Sequence, residues 1–441
     1  MILRDPVHGL VAFEGRAETV VSRLLGAREV QRQRRICQLG LTSLVFPGAE
    51  HSRFVHAIGT AHVMVKLLDR VRARQSELPP GARPDEQTEL DAIAAALLHD
   101  IGHGPFSHLF EEVLPGAQSH EKWSRAIILD PDSDVNRTLR EISEGMPARV
   151  ASLLAGDHPT GFLSRAVAGP LDVDRCDFLL RDSHMTGVSY GVFDLDFLLR
   201  ALTFGRVPVA DGGSQWVLAI DGRKGLPPIE HFFLSRLFMY EQVYHHKATR
   251  AAEALIRGVF ARVAELVREG SPPQPIPRAI ADAALARPVS AGDYLALDDV
   301  GLSSSFKQWE SAPDPVLSDL CSRLSSRDLP KTLPLPSGVE FEPHRHQALA
   351  LAREVARENG FRADLSVYLD VPFDVPYEEV EQDPLQGLWV AFREQGIRRL
   401  GEVSFLLGEL RNKRIERPRL ILPGAVRKKV QDALESPIAP V

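Results

Sequence analysis

The stretch LLHDIGHGPFSH, residues 97–108, sets three histidines and an aspartate directly behind the apolar run AIAAALL, in a chain with only 15 histidines among 441 residues. On a helix the adjacent His99 and Asp100 side chains diverge by roughly 100°, yet both can lean onto one ion lying beside the helix end. Imidazole nitrogen with carboxylate oxygen suits iron, manganese, zinc or nickel, and open positions on such an ion hold a water as nucleophile. Two ligands do not make a site. The richest remaining donors are His51 and His56 in HSRFVH and Asp172, Asp174 and Asp177 in LDVDRCD. His103 and His108 follow around Gly102 and Gly104. In a helix each glycine costs about 1 kcal/mol against alanine, a cost usually tolerated for a bend or a close backbone approach.

Helices are the elements that must carry these groups. Residues 18–40, 55–73 and 91–101 repeat apolar positions at three and four, the helical period. SELPPGARPDEQ, 76–87, reads as a surface loop, and Ser119 is placed to cap a helix over HEKWSRAIIL. Residues 170–187 read as a helix entered from proline and closed by Gly187. VPVADGGSQWVLAI, 207–220, predicts a hairpin. The pattern over 229–267 predicts one long helix or two joined by a slight bend. Proline-rich breaks at 269–279 and 329–338 precede strand-like runs at 365–371, 387–392 and 419–423. The expected fold is mainly α. Its expected parts are a helical core over 1–268, a helical extension and linker over 269–329, and a small C-terminal α/β lobe over 330–441.

Composition narrows the functional classes. A formal charge of −7 and a pI near 6.1 argue against coating nucleic acid by bulk charge, while leaving room for a local basic groove. Cys37, Cys176 and Cys321 are far apart with no CxxC, so neither a disulfide framework nor a zinc knuckle is indicated. No signal-peptide pattern opens the chain and no run of about 18 apolar residues occurs. The expected location is cytoplasmic, with no membrane partner.

Taken in order, RDPVHG, ICQLGLTSLVFPGAEHSRFVH, LLHDIGHGPFSH, SHEKWS, DVDRCDFLLRDSHMTG and YHHK resemble the HD-domain phosphohydrolases, specifically the bacterial relatives of the sterile-alpha-motif/HD-domain dNTP triphosphohydrolases, without the sterile-alpha-motif domain. The resemblance implies an all-helical HD core and a divalent metal (Fe, Mn, Zn, Ni or Mg) held by His56, His99, Asp100 and Asp174. It implies that His103, His108, Glu111 and His120 line the reaction side. Gln38 and Leu39 would face the sugar. Phe178, Asp182 and Tyr244 would complete the deoxyribose contacts, with His245 near the base. Arg53, Arg175, Arg236 and Lys247 would meet the phosphates. Gln31 and Arg34 match a nucleotide-activator motif whose acidic position is here Gly26 and whose lysine falls at Met1. Guanine-specific activation is therefore not expected; another nucleotide activator stays open, and a homo-oligomer, dimer or tetramer, is expected.

The reaction so implied is hydrolysis of a dNTP to deoxynucleoside and inorganic triphosphate. One alternative keeps the metal and changes the substrate to a nucleoside monophosphate, a cyclic nucleotide or single-stranded nucleic acid. Another makes the chain a nucleotide-sensing or nucleic-acid-binding module, with RNKRIERPR, 411–419, as its basic contact.

Overall fold

The structure is a computed structural model that describes residues 1–107, 111, 118–209, 213–380, 383–394 and 396–435. Its first half is a helical bundle: α1 (Gly15–Leu25), α2 (Arg28–Arg32), α3 (Arg53–Ala73), α4 (Glu86–Leu98), α5 (His120–Leu129), α6 (Asp134–Ile142), α7 (Met146–Ala155), α8 (Gly161–Val167), α9 (Val173–Thr186) and α10 (Leu195–Arg200). The helix expected over 18–40 ends at Leu25, and a short helix with a 3-10 turn over Gln33–Arg35 replaces its second half.

Helix α4 is the axis of the bundle. Asp85 caps it by accepting from the Thr88 N–H at 2.8 Å, and every residue from Leu90 to Leu98 is buried. A helix apolar on all sides is a core helix, and α3 and α1 pack along it. Helix α9 begins with Asp172 accepting from the Arg175 N–H at 2.7 Å and stops at Gly187, whose φ of +77° few side chains tolerate. It crosses α3 at Gly59, where a Cβ would lie 1.9 Å from an Asp177 carboxylate oxygen. Gly102 serves the same purpose after α4: a Cβ there would sit 2.2 Å from the His120 carbonyl oxygen. The glycine in this histidine-rich turn thus permits a close backbone approach. Ser119 precedes α5 in extended conformation but makes no side-chain cap bond.

The segment 229–267 is two helices, α11 (Leu226–Met239) and α12 (Lys247–Arg268), separated by a π-helical turn over Tyr240–Tyr244. This is a larger break than the slight bend the apolar pattern predicts. Helix α12 anchors a second core with Leu255, Val259, Phe260, Phe306, Trp309 and Leu317.

Strands are few. At the N-terminus β1 (Ile2–Asp5) pairs antiparallel with β2 (Gly9–Ala12). The expected hairpin is β3 (Leu202–Pro208) with β4 (Ser214–Asp221), in the register Leu202↔Ile220. In the C-terminal part, β9 (Arg419–Leu422) lies between β5 (Lys331–Pro334) and β6 (Tyr368–Asp370). The run at 387–392 takes another course: β7 (Trp389–Phe392) pairs parallel with β4, and β8 (Gly396–Arg399) pairs with β7. C-terminal residues thereby complete a sheet begun by the hairpin. The whole is a mainly helical core with a small C-terminal α/β region, as expected.

Candidate active site

Three helices converge on one point. His56 sits one turn into α3, His99 and Asp100 follow the last residue of α4, and Asp174 lies in the first turn of α9. His56 Nε2 is 3.0 Å from Asp174 Oδ1 and 3.2 Å from His99 Nε2. His99 Nε2 is in turn 3.4 Å from Asp174 Oδ1 and 3.4 Å from Asp100 Oδ1. Ligand bonds of about 2.1 Å to a common ion set donor atoms roughly 3.0–3.4 Å apart, so His56, His99 and Asp174 could hold a divalent metal, with Asp100 alongside.

The tautomers agree with that use. His99 Nδ1 lies 2.9 Å from the Ala96 carbonyl oxygen, which can only accept, so its Nε2 lone pair faces the cluster. Burial disfavours charge on His56, but Asp174 and Asp177 reverse this and raise it to about 10. In the absence of an ion a proton fills the cation's role. Burial likewise opposes ionisation of Asp174, yet His99 and His56 hold it well below the usual carboxylate range.

The other side of His56 is built differently. Its Nδ1 is 2.8 Å from Asp177 Oδ2, and Asp177 Oδ1 is 2.6 Å from His8 Nε2. Arg181 donates to both Asp177 oxygens at 2.8 and 2.9 Å and to Asp5 Oδ2 at 2.8 Å. Of the remaining candidate ligands, Asp177 therefore stands behind the cluster. Asp172 caps α9 and binds Arg175. His51 bonds Asp182 at 2.8 Å.

Toward the reaction side, His103 and His120 stack at 3.8 Å between ring centroids. His120 Nδ1 is 2.9 Å from Glu111 Oε1, and His103 Nε2 is 3.3 Å from Asp100 Oδ1. Arg53 is buried and donates to Asp100. His108 lies outside the described residues. The turn carrying His103 is clamped by distant groups that sequence reading missed. Ser124 Oγ accepts from the Gly102 N–H and donates to the His99 carbonyl, both at 2.9 Å. Tyr294 donates to the Gly102 carbonyl at 2.7 Å and Arg32 to that of His103 at 2.8 Å. Asp299 takes the N–H groups of both Cys37 and Phe106 at 2.8 Å.

The remaining candidates fall into two groups. A cavity of about 1000 Å³ is lined by His99, Asp100, His120, Asp174, Arg175 and Arg236. Lys122, Arg125 and Arg165, three cations not singled out in the sequence, share its wall; only the i, i+3 spacing of the first two hinted at a common face. Arg175 is engaged by Asp172 and the Gly169 carbonyl. Arg236 is held by both Asp374 oxygens at 2.7 and 2.9 Å. Gln38, Leu39, Phe178, Tyr244, His245 and Lys247 do not line this cavity. Instead the Tyr244 hydroxyl donates to Asp182 at 2.8 Å, and the Phe178 ring meets Tyr244 edge-on at 6.1 Å. The Gln38 N–H donates to the His51 carbonyl, which ties this segment to the same network. Leu39 is half-buried beside the core, His245 is pushed down to about 4 by burial, and Lys247 is exposed at the start of α12.

An HD domain family model matches residues 53–151. The uncharacterized protein YwfO of Bacillus subtilis is 36% identical over 397 residues, 88% of this chain and 84% of that protein. The deoxynucleoside triphosphate triphosphohydrolase SAMHD1 homolog of Dictyostelium discoideum is 30% identical over 286 residues, 60% of this chain and 50% of its own; the chain thus spans about half the length of that relative. A solved phosphohydrolase (BT4208) from Bacteroides thetaiotaomicron superposes with a TM-score of 0.77 at 28% identity, covering 96% of this chain and 99% of that one. The chain belongs to the HD-domain phosphohydrolases, a family of metal-dependent hydrolases. Among them it is a relative of the dNTP triphosphohydrolases. No helix among the described residues is long and apolar enough to cross a membrane.

Proposed function

We propose that the protein hydrolyses deoxynucleoside triphosphates to deoxynucleoside and inorganic triphosphate. The observation that carries this reading is the donor cluster of His56, His99 and Asp174, with Asp100 beside it, at a cavity of about 1000 Å³ whose wall holds Lys122, Arg125, Arg165, Arg175 and Arg236 among acidic groups. Similarity to proteins named deoxynucleoside triphosphate triphosphohydrolase supports it. A divalent ion in the cluster would activate water and polarise a phosphate oxygen. The water oxygen bonds to the α-phosphorus and releases one proton to solvent, the bond from that phosphorus to the 5′ oxygen breaks, and the 5′ oxygen takes a proton from His120, which solvent then restores. Glu111, accepting from His120 Nδ1, leaves Nε2 as the proton-carrying atom. Arg53, Arg175, Arg236 and Lys247 neutralise the phosphates, and His103 and His108 complete the reaction face. Gln38, Leu39, Phe178, Asp182 and Tyr244, which lie outside the wall of that cavity, are the groups the family resemblance offers to select the sugar, with His245 for the base. Residues 1–268 carry the chemistry in this reading, 269–329 form an extension, and 330–441 the lobe that supplies Asp374 to Arg236. The same reading includes assembly into a homo-oligomer, which light scattering measures.

The test is incubation of metal-reconstituted protein with each dNTP, singly and mixed, resolving nucleoside, mono-, di- and triphosphate, beside Asp100→Ala. Triphosphate with deoxynucleoside, absent from the variant, is the expected result, and turnover only in mixtures would identify a nucleotide activator. Absence of triphosphate with every metal and mixture would overturn the proposal and favour monophosphates, cyclic nucleotides or single strands.

A further inference from the structure

The N-terminal turn DPVH, Asp5–His8, lies far in sequence from every candidate ligand, yet only Asp177 separates His8 from His56, and Arg181 with Asp177 separates Asp5 from it. We propose that Asp177 is a positioning residue for the metal ligand His56, and that His8 and the Asp5–Arg181 pair hold Asp177 in place, so that the N-terminal hairpin is a working part of the metal centre. The proposal rests on the metal-site reading and not on the identity of the substrate.

The geometry leaves Asp177 little other use. An ionised carboxylate only accepts hydrogen bonds, and the Arg181 guanidinium donates to both oxygens of Asp177. His56 Nδ1 must then carry the hydrogen in the 2.8 Å contact, which fixes the tautomer and turns the Nε2 lone pair toward Asp174 and His99. Asp177 takes four contacts in all, from His56, His8 and two Arg181 nitrogens, and cannot also reach an ion. Arg181, wholly buried, is aimed by Asp5, and Asp5 is itself fixed by the N–H groups of Val7 and His8, each at 2.9 Å. Gly59 provides the space, since any Cβ there would collide with Asp177 and Arg181. Asp174 and Asp177 are three residues apart on α9 and so share a face; one meets each nitrogen of the same imidazole.

Partners of this kind typically govern 10–100-fold in metal affinity. The experiment measures metal dissociation constants and stoichiometry by calorimetry and elemental analysis, with the absorption spectrum of the cobalt-loaded protein, for the full chain and for His8→Asn and Asp177→Asn. Val63→Ala, a buried change on α3 away from the site, controls for general destabilisation. The expected result is metal binding weakened about 10–100-fold in Asp177→Asn, a smaller loss in the same direction in His8→Asn, an altered cobalt spectrum in both, and neither change in Val63→Ala. Should Asp177→Asn not fold, His8→Asn decides alone. Metal affinity and cobalt spectrum unchanged in His8→Asn and in any folded Asp177→Asn would overturn the proposal, as would an equal loss in Val63→Ala. None of these readouts requires turnover of a dNTP, so a failed hydrolysis assay would not be mistaken for a failure here.

Discussion

The two nitrogens of His56 face regions in opposite states of completion. Behind Nδ1, Asp177 and Asp5 have their oxygens matched to Arg181, His8 and backbone N–H groups. In front of Nε2, the nitrogens of His56 and His99 and the oxygen of Asp174 crowd within 3.0–3.4 Å of one another. Buried charges persist when paired and hydrogen-bonded, so the rear is stable as it stands. The front is an excess of donors that a cation, or failing that a proton, must satisfy. The contrast teaches that rigidity and reactivity have been divided between two faces of a single ring.

Breaking the front should have the largest effect. Asp174→Ala is expected to abolish metal binding and all phosphohydrolase activity while leaving the helical circular dichroism signal intact; elemental analysis and activity on a generic phosphoester check it. Breaking the rear should cost stability as well as metal affinity. Arg181→Met strands Asp177 and Asp5 in the interior, and loss of one partner of a buried pair costs about 3–5 kcal/mol, read as a lowered midpoint in urea unfolding. A smaller effect is expected from Asp299→Asn. The amide has one acceptor oxygen where the carboxylate offers two to the Cys37 and Phe106 N–H groups, so one donor is left buried at a cost of about 1–3 kcal/mol. The catalytic turn and the Gln38 segment would lose their common register, and kcat should fall more than the unfolding midpoint accounts for.

Acid and base should separate the two faces as well. In metal-free protein His56 is raised to about 10, so its stabilising contribution is complete below about 6.5 and is lost as pH rises through 10. His62, packed 5.4 Å from His8, is pushed to about 4, chiefly by burial; its contribution is present above about 6.5 and is lost as pH falls through 4. Thermal midpoints of the metal-free chain should therefore decline in both directions, and metal loading should flatten the alkaline limb alone. The smallest expected change is Phe178→Tyr, which adds a hydroxyl near Tyr244 and sharpens deoxyribose preference over ribose by about 1 kcal/mol, measured as a ratio of kcat/KM.

How much of this was legible beforehand follows from distance along the chain. The front could be read because HD and the DVDRCD run carry their donors at helical spacings, and the apolar AIAAALL announced a core helix ending at His99. The rear could not, because nothing in RDPVHG says that Asp5 and His8 will meet α9; that contact depends on tertiary packing at Gly59. The same limit applies to Asp299 and Tyr294, which reach the turn carrying His103 from α-helical segments nearly two hundred positions later. Between α11 and α12 the apolar repeat runs on without interruption, so periodicity concealed a π-helical turn that brings the Tyr244 hydroxyl to Asp182. The strand at Trp389–Phe392 was legible as a strand, but pattern alone does not name a strand's partner.

That parallel pairing of β7 with β4 has a consequence for how the protein is made. Strand β4 is translated by Asp221, whereas the strand that covers it begins at Trp389. At about 5–20 residues per second, ribosomes leave the β4 edge bare for roughly eight to thirty-four seconds. An open edge is a template for pairing with other chains, so the nascent polypeptide passes through a window of vulnerability to aggregation that closes only when the lobe returns to the core.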